Sequence, residues 1–363
     1  MVDRVPFLDL TREYEEFGDE MTEAIESVLS SGYFVLGDHV AEFEETFANY
    51  TGAEYGIGVN SGSDALYLVL RALDIQKGDE VILPSHTFVS TADAVVRNGA
   101  TPVFVDIDPE TYTIDPEAVN EQVTPDTAAV IPVHLYGQPA DMAPLQELAA
   151  EHEFAIVEDA SQAHGAKYRG EPVGSLGDIA CFSLYPTKNL GAYGDAGIVV
   201  SDNAELADRV EMARQYGESE RYEYEFVGVN SRLDELQAAV LNYKLTRLDE
   251  LNARRQQVAE QYRKRLDSVE TPSVRSDSEH VYHLYVIQCS ERDELQAYLL
   301  DNGVQTLIHY PTPIHKQPSY RAVGRRGDLR VTERIANRIL SLPMHPFCTQ
   351  EEVENVATLI QEY

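Results

Sequence analysis

The chain has 363 residues, which is too long for one small core and predicts a larger and a smaller domain. It carries 62 acidic against 28 basic residues, and the net charge of −34 repels nucleic acids and anionic membranes, so neither is expected as a partner. It has no apolar run of the roughly 18 residues that a transmembrane helix needs, and its acidic N-terminus lacks a signal-peptide pattern, so we expect a cytoplasmic protein.

The acidic residues are spread along the predicted helices rather than gathered in one tail. Together with the scarcity of lysine, this pattern is typical of proteins that work at high salt, where screening reduces self-repulsion. We therefore expect a halophilic protein. Three widely spaced cysteines form no CxxC pair, so we expect buried free thiols rather than disulfides or metal ligands; they are Cys181, Cys289 and Cys348.

Helical periodicity occurs around residues 19–29 and 39–50, on either side of a glycine-bounded turn at 31–37. Seven short apolar runs then alternate with helical patterns, which favours an α/β domain with a mostly parallel sheet covered on both faces. The last two runs are too close for a helical crossover, so one is expected to run antiparallel. The runs are 55–59, 81–84, 102–107, 129–134, 155–158, 179–184 and 197–200, and the helices between them include 63–73, 90–98, 142–151 and 204–216.

The pattern changes after residue 230. Residues 231–266 predict one long helix that leads into a second domain, whose strands are expected at 282–288 and 305–309. Its helices are expected at 293–302, 332–340 and 351–362. We place the boundary at residue 245, which gives a large domain of residues 1–244 and a small C-terminal α+β domain of residues 245–363.

Lys188 is the only cation in a loop rich in glycine and hydroxyl groups between two of the predicted strands. A solvated loop lysine is the ordinary interpretation. However, the flanking glycines allow a close approach of another molecule, and Ser183 lies where a hydroxyl can serve a phosphate. The loop therefore indicates a Schiff-base lysine that holds an aldehyde cofactor and acts as acid and base.

Polar groups follow three other predicted strands. The segment NSGSDAL opens a helix whose free N–H groups favour an anion, with Asp64 acting through its backbone, although a capped helix after a strand is common. Asp159 stands where a carboxylate could pair with a cofactor's ring nitrogen, or could cap a helix or bind a metal. Phe88 could stack on a flat ring or lie in the core, and His164 could face a ligand or be structural.

A proline-stiffened loop, HYPTPIH, carries His309 and His315. Two histidines suggest a metal site, but no third ligand has a convincing spacing, so we expect no metal. An active-site loop is the preferred interpretation.

Six segments together resemble the sugar-nucleotide aminotransferases of the DegT type, a branch of the fold-type I enzymes that use pyridoxal 5′-phosphate (PLP). The resemblance covers essentially the whole chain. The segments, in order, are NSGSDAL, PSHTFVSTADAV, EDASQAHGA, SLYPTKNLGAYGDAG, GVNSRLDELQAA and HYPTPIHKQPSY.

The resemblance implies that PLP is the cofactor. Lys188 would form the Schiff base with it and carry a proton between the donor's Cα and C4′ of the cofactor, while Asp159 would pair with the pyridinium nitrogen. Phe88 would stack on the ring, and Gln162 would lie near its phenolic oxygen. The family commonly has Trp or another aromatic residue where this chain has Phe88, and this chain has no Trp.

The resemblance also implies that Ser63, the Asp64 backbone and Ser183 hold the phosphate. Asn230 matches a position that reaches the phosphate from another subunit, so a homodimer with shared active sites is expected. The residues expected near the sugar substrate are His309, His315, Tyr310 and His164.

The implied fold is a large domain with a seven-stranded, mostly parallel sheet and a smaller C-terminal domain. The implied reaction moves an amino group from glutamate to a keto sugar linked to a nucleoside diphosphate. The segments VHLYGQPADM and GVNSRLDELQAA look more like the branch that aminates C3 of a 3-keto-6-deoxyhexose than the branch that acts at C4. A C4-aminotransferase and a non-catalytic regulatory protein on the same scaffold are the alternatives.

Overall fold

The computed structural model describes residues 4–363, and in this part of the chain helices and strands are joined by loops. The helices are α1 (Thr11–Ser31), α2 (Asp38–Thr51), α3 (Gly62–Ala72), α4 (Ser90–Arg97), α5 (Pro116–Asn120), α6 (Met142–His152), α7 (Ala204–Arg214), α8 (Glu235–Leu245), α9 (Leu248–Arg265), α10 (Arg292–Asp301), α11 (Arg330–Ala336) and α12 (Gln350–Glu362). Within residues 4–363, none of them is long and apolar enough to cross a membrane.

The strands are shorter than the helices, and several contain only two residues. They are β1 (Tyr55–Val59), β2 (Glu80–Pro84), β3 (Thr101–Val105), β4 (Thr127–Val130), β5 (Ala155–Asp159), β6 (Lys167–Tyr168), β7 (Glu171–Pro172), β8 (Ile179–Ser183), β9 (Gly197–Ser201), β10 (Glu218–Glu220), β11 (Glu223–Tyr224), β12 (Ser278–Glu279), β13 (Tyr285–Gln288), β14 (Arg325–Arg326) and β15 (Ile339–Leu342).

The central sheet has eight strands in the order β1-β9-β8-β5-β4-β2-β3-β14. Strand β9 pairs antiparallel with both β1 and β8, and the remaining pairs are parallel. All seven predicted apolar runs are strands of this sheet, and the prediction of one antiparallel strand is confirmed. The eighth strand, β14, lies at the edge, where two charged residues give no apolar run to detect.

Helices cover both faces of the sheet because successive residues of each strand point to opposite sides. Val81 and Leu83 of β2 pack with α3, α4 and α7, whereas Ile82 packs with α5 and α6 on the other face. The mostly parallel sheet with two covered faces agrees with the α/β prediction. The carboxyl ends of its parallel strands therefore meet at one edge, which is the usual position of a ligand site.

The C-terminal part of the chain forms a second layer around the antiparallel pair β13 and β15, which packs with α9, α10 and α12 in its own apolar cluster. The predicted helices 293–302 and 351–362 are confirmed within one residue at each end. The domain boundary at residue 245 stays a prediction.

Three predictions in this part are wrong. Residues 231–266 are two helices, because the chain turns at Thr246–Arg247, where backbone N–H groups bond to carbonyls three residues back. Residues 305–309 form no regular strand but only an isolated bridge, Leu307 to Ser341. The helix expected at 332–340 ends at Ala336, because Ile339–Leu342 pairs with β13 as a strand.

Candidate active site

A cavity of about 510 Å³ opens at the carboxyl ends of the central strands. Its wall comes from the segments that follow β1, β2, β5 and β8, and from loops of the C-terminal part of the chain. The cavity brings together eight of the predicted site residues: Ser63, Phe88, Asp159, Gln162, Ser183, Lys188, His309 and Tyr310.

Helix α3 begins at the cavity because Ser61 caps it. The backbone of Ser61 is extended, and its Oγ accepts a hydrogen bond from the N–H of Asp64 at 3.1 Å. Gly62 and Ser63 form the first turn and line the cavity, where helical N–H groups have no partner within the helix and the helix dipole favours an anion. The Asp64 carboxylate points away and accepts from Ser231 Oγ at 2.8 Å.

The first turn of α3 lies directly against the end of β8. A Cβ atom on Gly62 would lie 2.6 Å from Ser183 Cβ and 2.9 Å from Ser183 Cα, distances that real Cβ atoms do not adopt. A Cβ atom on Gly197 would lie 2.5 Å from the carbonyl carbon of Ser61. Glycine at both positions therefore brings the free N–H groups of α3 and the hydroxyl of Ser183 together, and this arrangement forms a polar cradle.

Lys188 lies in the wall of the same cavity, in the loop between β8 and β9. Its backbone N–H bonds to the carbonyl of Tyr185 at 2.8 Å, but its amine has no hydrogen bond or ion pair to any residue in the described range 4–363. Burial lowers the pKa of Lys188 to about 8, and the carboxylate of Asp159 acts in the opposite direction. A substantial fraction of the amine is therefore neutral near pH 8, and the neutral form is the nucleophile and base.

Asp159 ends β5 with its carboxylate buried in the cavity wall. Thr91 Oγ1 donates to one carboxylate oxygen at 2.9 Å, and the N–H of Ser161 donates to the other at 3.3 Å. Thr91 Oγ1 is also 3.2 Å from Thr87 Oγ1. Hydrogen bonds from both sides fix the orientation of the carboxylate before any ligand arrives.

Glu158, the neighbour of Asp159, points to the other side of the strand and has a structural role. It is fully buried, and His134 Nε2 donates to it at 2.9 Å. His134 carries its proton on Nε2 because Nδ1 accepts from the N–H of Ala140. Glu158 also accepts from three backbone N–H groups at 2.8–3.0 Å, those of Gly174, Leu176 and Gly177. Only Asp159 of this acidic pair is available to a ligand.

Aromatic rings form another part of the wall. Phe88 is 53% exposed despite its size, and its ring centroid lies 5.9 Å from that of Tyr310. Gln162 Nε2 donates to the Tyr310 hydroxyl at 3.2 Å, while its Oε1 accepts from the N–H of Tyr136 at 2.7 Å. The exposed ring of Phe88 and the fixed amide of Gln162 give the cavity an apolar face with a polar edge, which suits a flat heteroaromatic ring.

His309 is also held in the wall, because its Nδ1 is 2.8 Å from Ser341 Oγ. Burial lowers its pKa to about 4, and Lys188 acts in the same direction, so the imidazole is neutral near pH 7. His309 and Tyr310 therefore present uncharged polar groups to a ligand.

Besides Asp64, whose carboxylate bonds to Ser231, three predicted site residues are not in the cavity wall. His164 packs against the ring of Phe182 behind it, and burial lowers the pKa of His164 to about 3. His315 bonds to Ser85 Oγ at 2.7 Å and to Glu333 at 3.1 Å. Asn230 is exposed, as a contact with a second subunit would require. The roles of these three residues stay predictions.

Several wall residues were not predicted. His283 lies just before β13, and the sequence hid it because the strand was predicted to begin at residue 282. Two more, Tyr185 and Thr187, belong to the hydroxyl-rich loop around Lys188, which was a visible signal. The remaining unpredicted polar wall residues are Ser61, Thr87, Ser90, Thr91, Ser161 and Asp195.

Residues 15–361 match the model of the DegT/DnrJ/EryC1/StrS aminotransferase family. The chain belongs to this family. It is 46% identical to a dTDP-3-amino-3,6-dideoxy-alpha-D-galactopyranose transaminase of Aneurinibacillus thermoaerophilus, over 99% of each chain. It is 44% identical to a protein named pleiotropic regulatory protein of Geobacillus stearothermophilus, over 99% of this chain and 98% of that one. The solved structure of S. venezuelae DesV in complex with a ketimine intermediate has a TM-score of 0.97 and 46% identity, and covers 99% of this chain and 98% of that one.

The fold of this aminotransferase is that of the fold-type I PLP enzymes, and its cofactor is PLP. The residues present fit that cofactor. The cradle between α3 and Ser183 suits a phosphate, and it depends on the absence of a side chain at Gly62, where a Cβ atom would collide with Ser183. The unpaired amine of Lys188, partly neutral near pH 8, can add to an aldehyde, and the buried carboxylate of Asp159 can pair with a protonated ring nitrogen.

Proposed function

We propose that this enzyme transfers an amino group from glutamate to C3 of a 3-keto-6-deoxyhexose linked to a nucleoside diphosphate. The observation that carries the proposal is that Lys188, Asp159 and the α3 cradle line one cavity, in a chain that belongs to the aminotransferase family. Relatives that are 46% identical over nearly their whole length are named as transaminases of dTDP-3-amino sugars. A C4-aminotransferase is the alternative within the family.

When bound, PLP supplies an electron sink that stabilises negative charge at the carbon that loses its proton. Lys188 is proposed to hold the aldehyde carbon in the resting enzyme and, once released, to accept the proton from the donor's Cα and return it at C4′. Its lowered pKa suits both tasks, because a base with a pKa near the working pH gives and takes a proton readily. Asp159, fixed by Thr91, would keep the ring nitrogen protonated.

The remaining cofactor residues would hold and orient the ring. Ser63, the first-turn N–H groups of α3 up to Asp64, and Ser183 would bind the phosphate. The N–H of Asp64 donates to Ser61 in the structure, so that contact would be shared. Phe88 would cover one face of the ring, and Gln162 would lie at its phenolic oxygen.

The sugar would lie against His309 and Tyr310, which line the cavity. The two other histidines predicted near the sugar, His164 and His315, would act from behind the wall, through neighbouring groups. Because the chain carries a net charge of −34, it repels a diphosphate at long range, so binding must depend on short-range donors.

We further propose a homodimer in which each subunit completes the active site of the other. Asn230 is exposed and follows the β10–β11 hairpin, where Tyr222 is 73% and Val227 is 80% exposed. Large apolar side chains that are this exposed are typical of interaction surfaces. If sites are shared, a mixture of the inactive variants Lys188→Ala and Asn230→Ala regains activity in mixed dimers; if each subunit works alone, the mixture stays inactive.

The composition supports two proposals about where the enzyme works. The three cysteines are free in the structure, as in the reducing cytoplasm. The excess of acidic residues supports a protein adapted to high salt, where the mutual repulsion of its carboxylates is screened.

A non-catalytic regulatory role is the second candidate, because one relative is named a pleiotropic regulatory protein. Adding glutamate to the holoenzyme separates the two roles. An aminotransferase shows a change in the absorbance of the bound cofactor and releases 2-oxoglutarate, while the Lys188→Ala variant binds the cofactor but turns nothing over. An unchanged spectrum with glutamate and with other amino donors would reject the proposed activity.

A further inference from the structure

His283 lies in the wall of the same cavity as Lys188, and no step proposed for Lys188 or Asp159 uses it. The two residues are linked through Asn189, the residue after Lys188 in the chain. His283 Nδ1 lies 3.2 Å from Asn189 Oδ1, and both side chains are buried at that contact. The imidazole is therefore fixed relative to the backbone that carries the lysine.

The hydrogen bonds around Asn189 determine which nitrogen of His283 carries the proton. Asn252 Nδ2 donates to the carbonyl of His164 at 2.8 Å, so Asn252 must turn its Oδ1 towards Asn189. Asn189 Nδ2 donates to that Oδ1 at 2.8 Å and to the carbonyl of Val281 at 3.0 Å. Both amide protons of Asn189 are thus used, and its Oδ1 can only accept.

Because Asn189 Oδ1 accepts, His283 must donate from Nδ1. A neutral imidazole protonated on Nδ1 has a lone pair on Nε2. No residue in the range 4–363 bonds to Nε2, yet this atom is not fully buried. It therefore opens to the cavity that His283 lines. His283 thus offers a ligand an acceptor and no donor.

The backbone that carries His283 is also held firmly. Arg255 is buried and donates through one guanidinium nitrogen to three carbonyls at 3.2–3.3 Å. Two of these carbonyls belong to Tyr282 and His283, and the third belongs to Met344. The imidazole is therefore placed before a ligand binds.

We propose that His283 is a positioning residue whose Nε2 accepts a hydrogen bond from the amine of Lys188 once the amine has been released from the bound cofactor. The amine can donate and has no partner among residues 4–363, while the imidazole presents to the same cavity a lone pair and no donor. This bond holds the amine in place for proton transfer. The inference rests on the role of Lys188 in the proposed function.

The charges around His283 favour the neutral imidazole that this bond requires. Burial lowers the pKa of His283 well below its usual value, and Lys188 and Arg255 act in the same direction, followed by two further histidines, His309 and His164. The imidazole therefore does not compete with Lys188 for a proton near pH 7.

Two substitutions separate a bond to Lys188 from a purely structural role. His283→Asn keeps a donor close to the position of Nδ1, and so keeps the contact with Asn189, but removes the acceptor in the cavity. His283→Gln places an amide oxygen near the position of Nε2 and loses the contact with Asn189. If His283 is only structural, His283→Asn should be the milder substitution. If His283 forms the proposed bond to Lys188, His283→Gln should be the milder one.

The measurement uses holoenzyme charged with glutamate, so that Lys188 is free, and follows the return of the resting absorbance with 2-oxoglutarate over a range of pH. The rate should rise as the ammonium of Lys188 loses its proton. A hydrogen bond to the ammonium stabilises it, so its loss in His283→Asn should lower the midpoint by about one pH unit, a tenfold change in the protonation equilibrium. The midpoint of His283→Gln should stay at the wild-type value.

Imidazole ¹⁵N spectra of the same charged holoenzyme provide a readout that does not depend on turnover. We expect His283 to be protonated on Nδ1, with Nε2 unprotonated and accepting a hydrogen bond. A proton on Nε2, equal midpoints in both variants, or a change confined to the reaction with the keto sugar would each overturn the inference. Failure of the proposed function itself would appear differently, as no response of the wild-type spectrum to glutamate.

Discussion

Replacing Gly62 by alanine is expected to weaken cofactor binding as well as the fold. The new Cβ atom would lie 2.6 Å from Ser183 Cβ and 2.9 Å from Ser183 Cα, so the first turn of α3 must move away from β8. An added methyl group in a well-packed site costs about 1–3 kcal/mol. This movement separates the N–H groups of α3 from Ser183, and the same cost in the bound state corresponds to a loss of cofactor affinity of about 5- to 150-fold.

The assay is the dissociation constant of PLP, followed by absorbance, together with thermal unfolding of the cofactor-free protein. Gly327→Ala is the matched control, because its nearest neighbour would be the flexible side chain of Gln122 at 3.4 Å, an ordinary contact. We expect Gly327→Ala to bind PLP as the wild type does. A Gly62→Ala variant with wild-type affinity would refute the cradle, and an equal loss in both variants would show that the effect is not local.

Further predictions concern stability. The hydrogen bond from Arg325 holds the pKa of Glu80 below its usual value of 4.5. This pair therefore stabilises the fold above pH 4.5, and its contribution is lost as the pH falls through the lowered pKa. In urea titrations at decreasing pH, the free energy of unfolding should fall more steeply for the wild type than for Glu80→Gln. Glu158→Gln leaves buried N–H groups facing an amide, and should lower the free energy of unfolding by about 1–3 kcal/mol in the same assay, whereas a neutral result would contradict its structural role. Raising the salt from about 0.1 M to about 1 M shortens the screening length from roughly 10 to 3 Å and should raise the unfolding temperature, and an unchanged temperature would contradict adaptation to salt.

The central sheet was predictable because parallel strands buried on both faces leave continuous apolar runs, and all seven runs are strands. The site followed from that sheet, since polar residues after its strands must meet at one edge. Asp159 and Lys188, which are 29 residues apart in the chain, lie in one cavity for this reason.

The errors arise where distant contacts override local patterns. Nothing in the leucine periodicity of residues 231–266 shows that the chain turns after Leu245, with Leu248 buried against the large core. Ile339–Leu342 continues a helical pattern, but it becomes a strand because β13 lies beside it. His283 belongs to the cavity only because Asn189 and Arg255 hold its loop there, and these contacts span 94 and 28 residues.

The two acidic residues that end β5 illustrate a further limit. Glu158 and Asp159 are adjacent acids at a strand end, and only alternation along the strand separates a structural role from a role in the site. The carboxylate of Glu158 is satisfied by His134 and by the loop that precedes β8, contacts that the sequence does not reveal.

One measurement tests the central proposal most directly. The enzyme is charged with glutamate, the free donor is removed, and nucleotide-linked 3-keto and 4-keto 6-deoxyhexoses are added separately while the absorbance of the bound cofactor is followed. The proposed function predicts that the resting absorbance returns with the 3-keto sugar alone. A return with the 4-keto sugar alone would contradict amination at C3, and a return with neither sugar would contradict a nucleotide-linked keto sugar as the substrate.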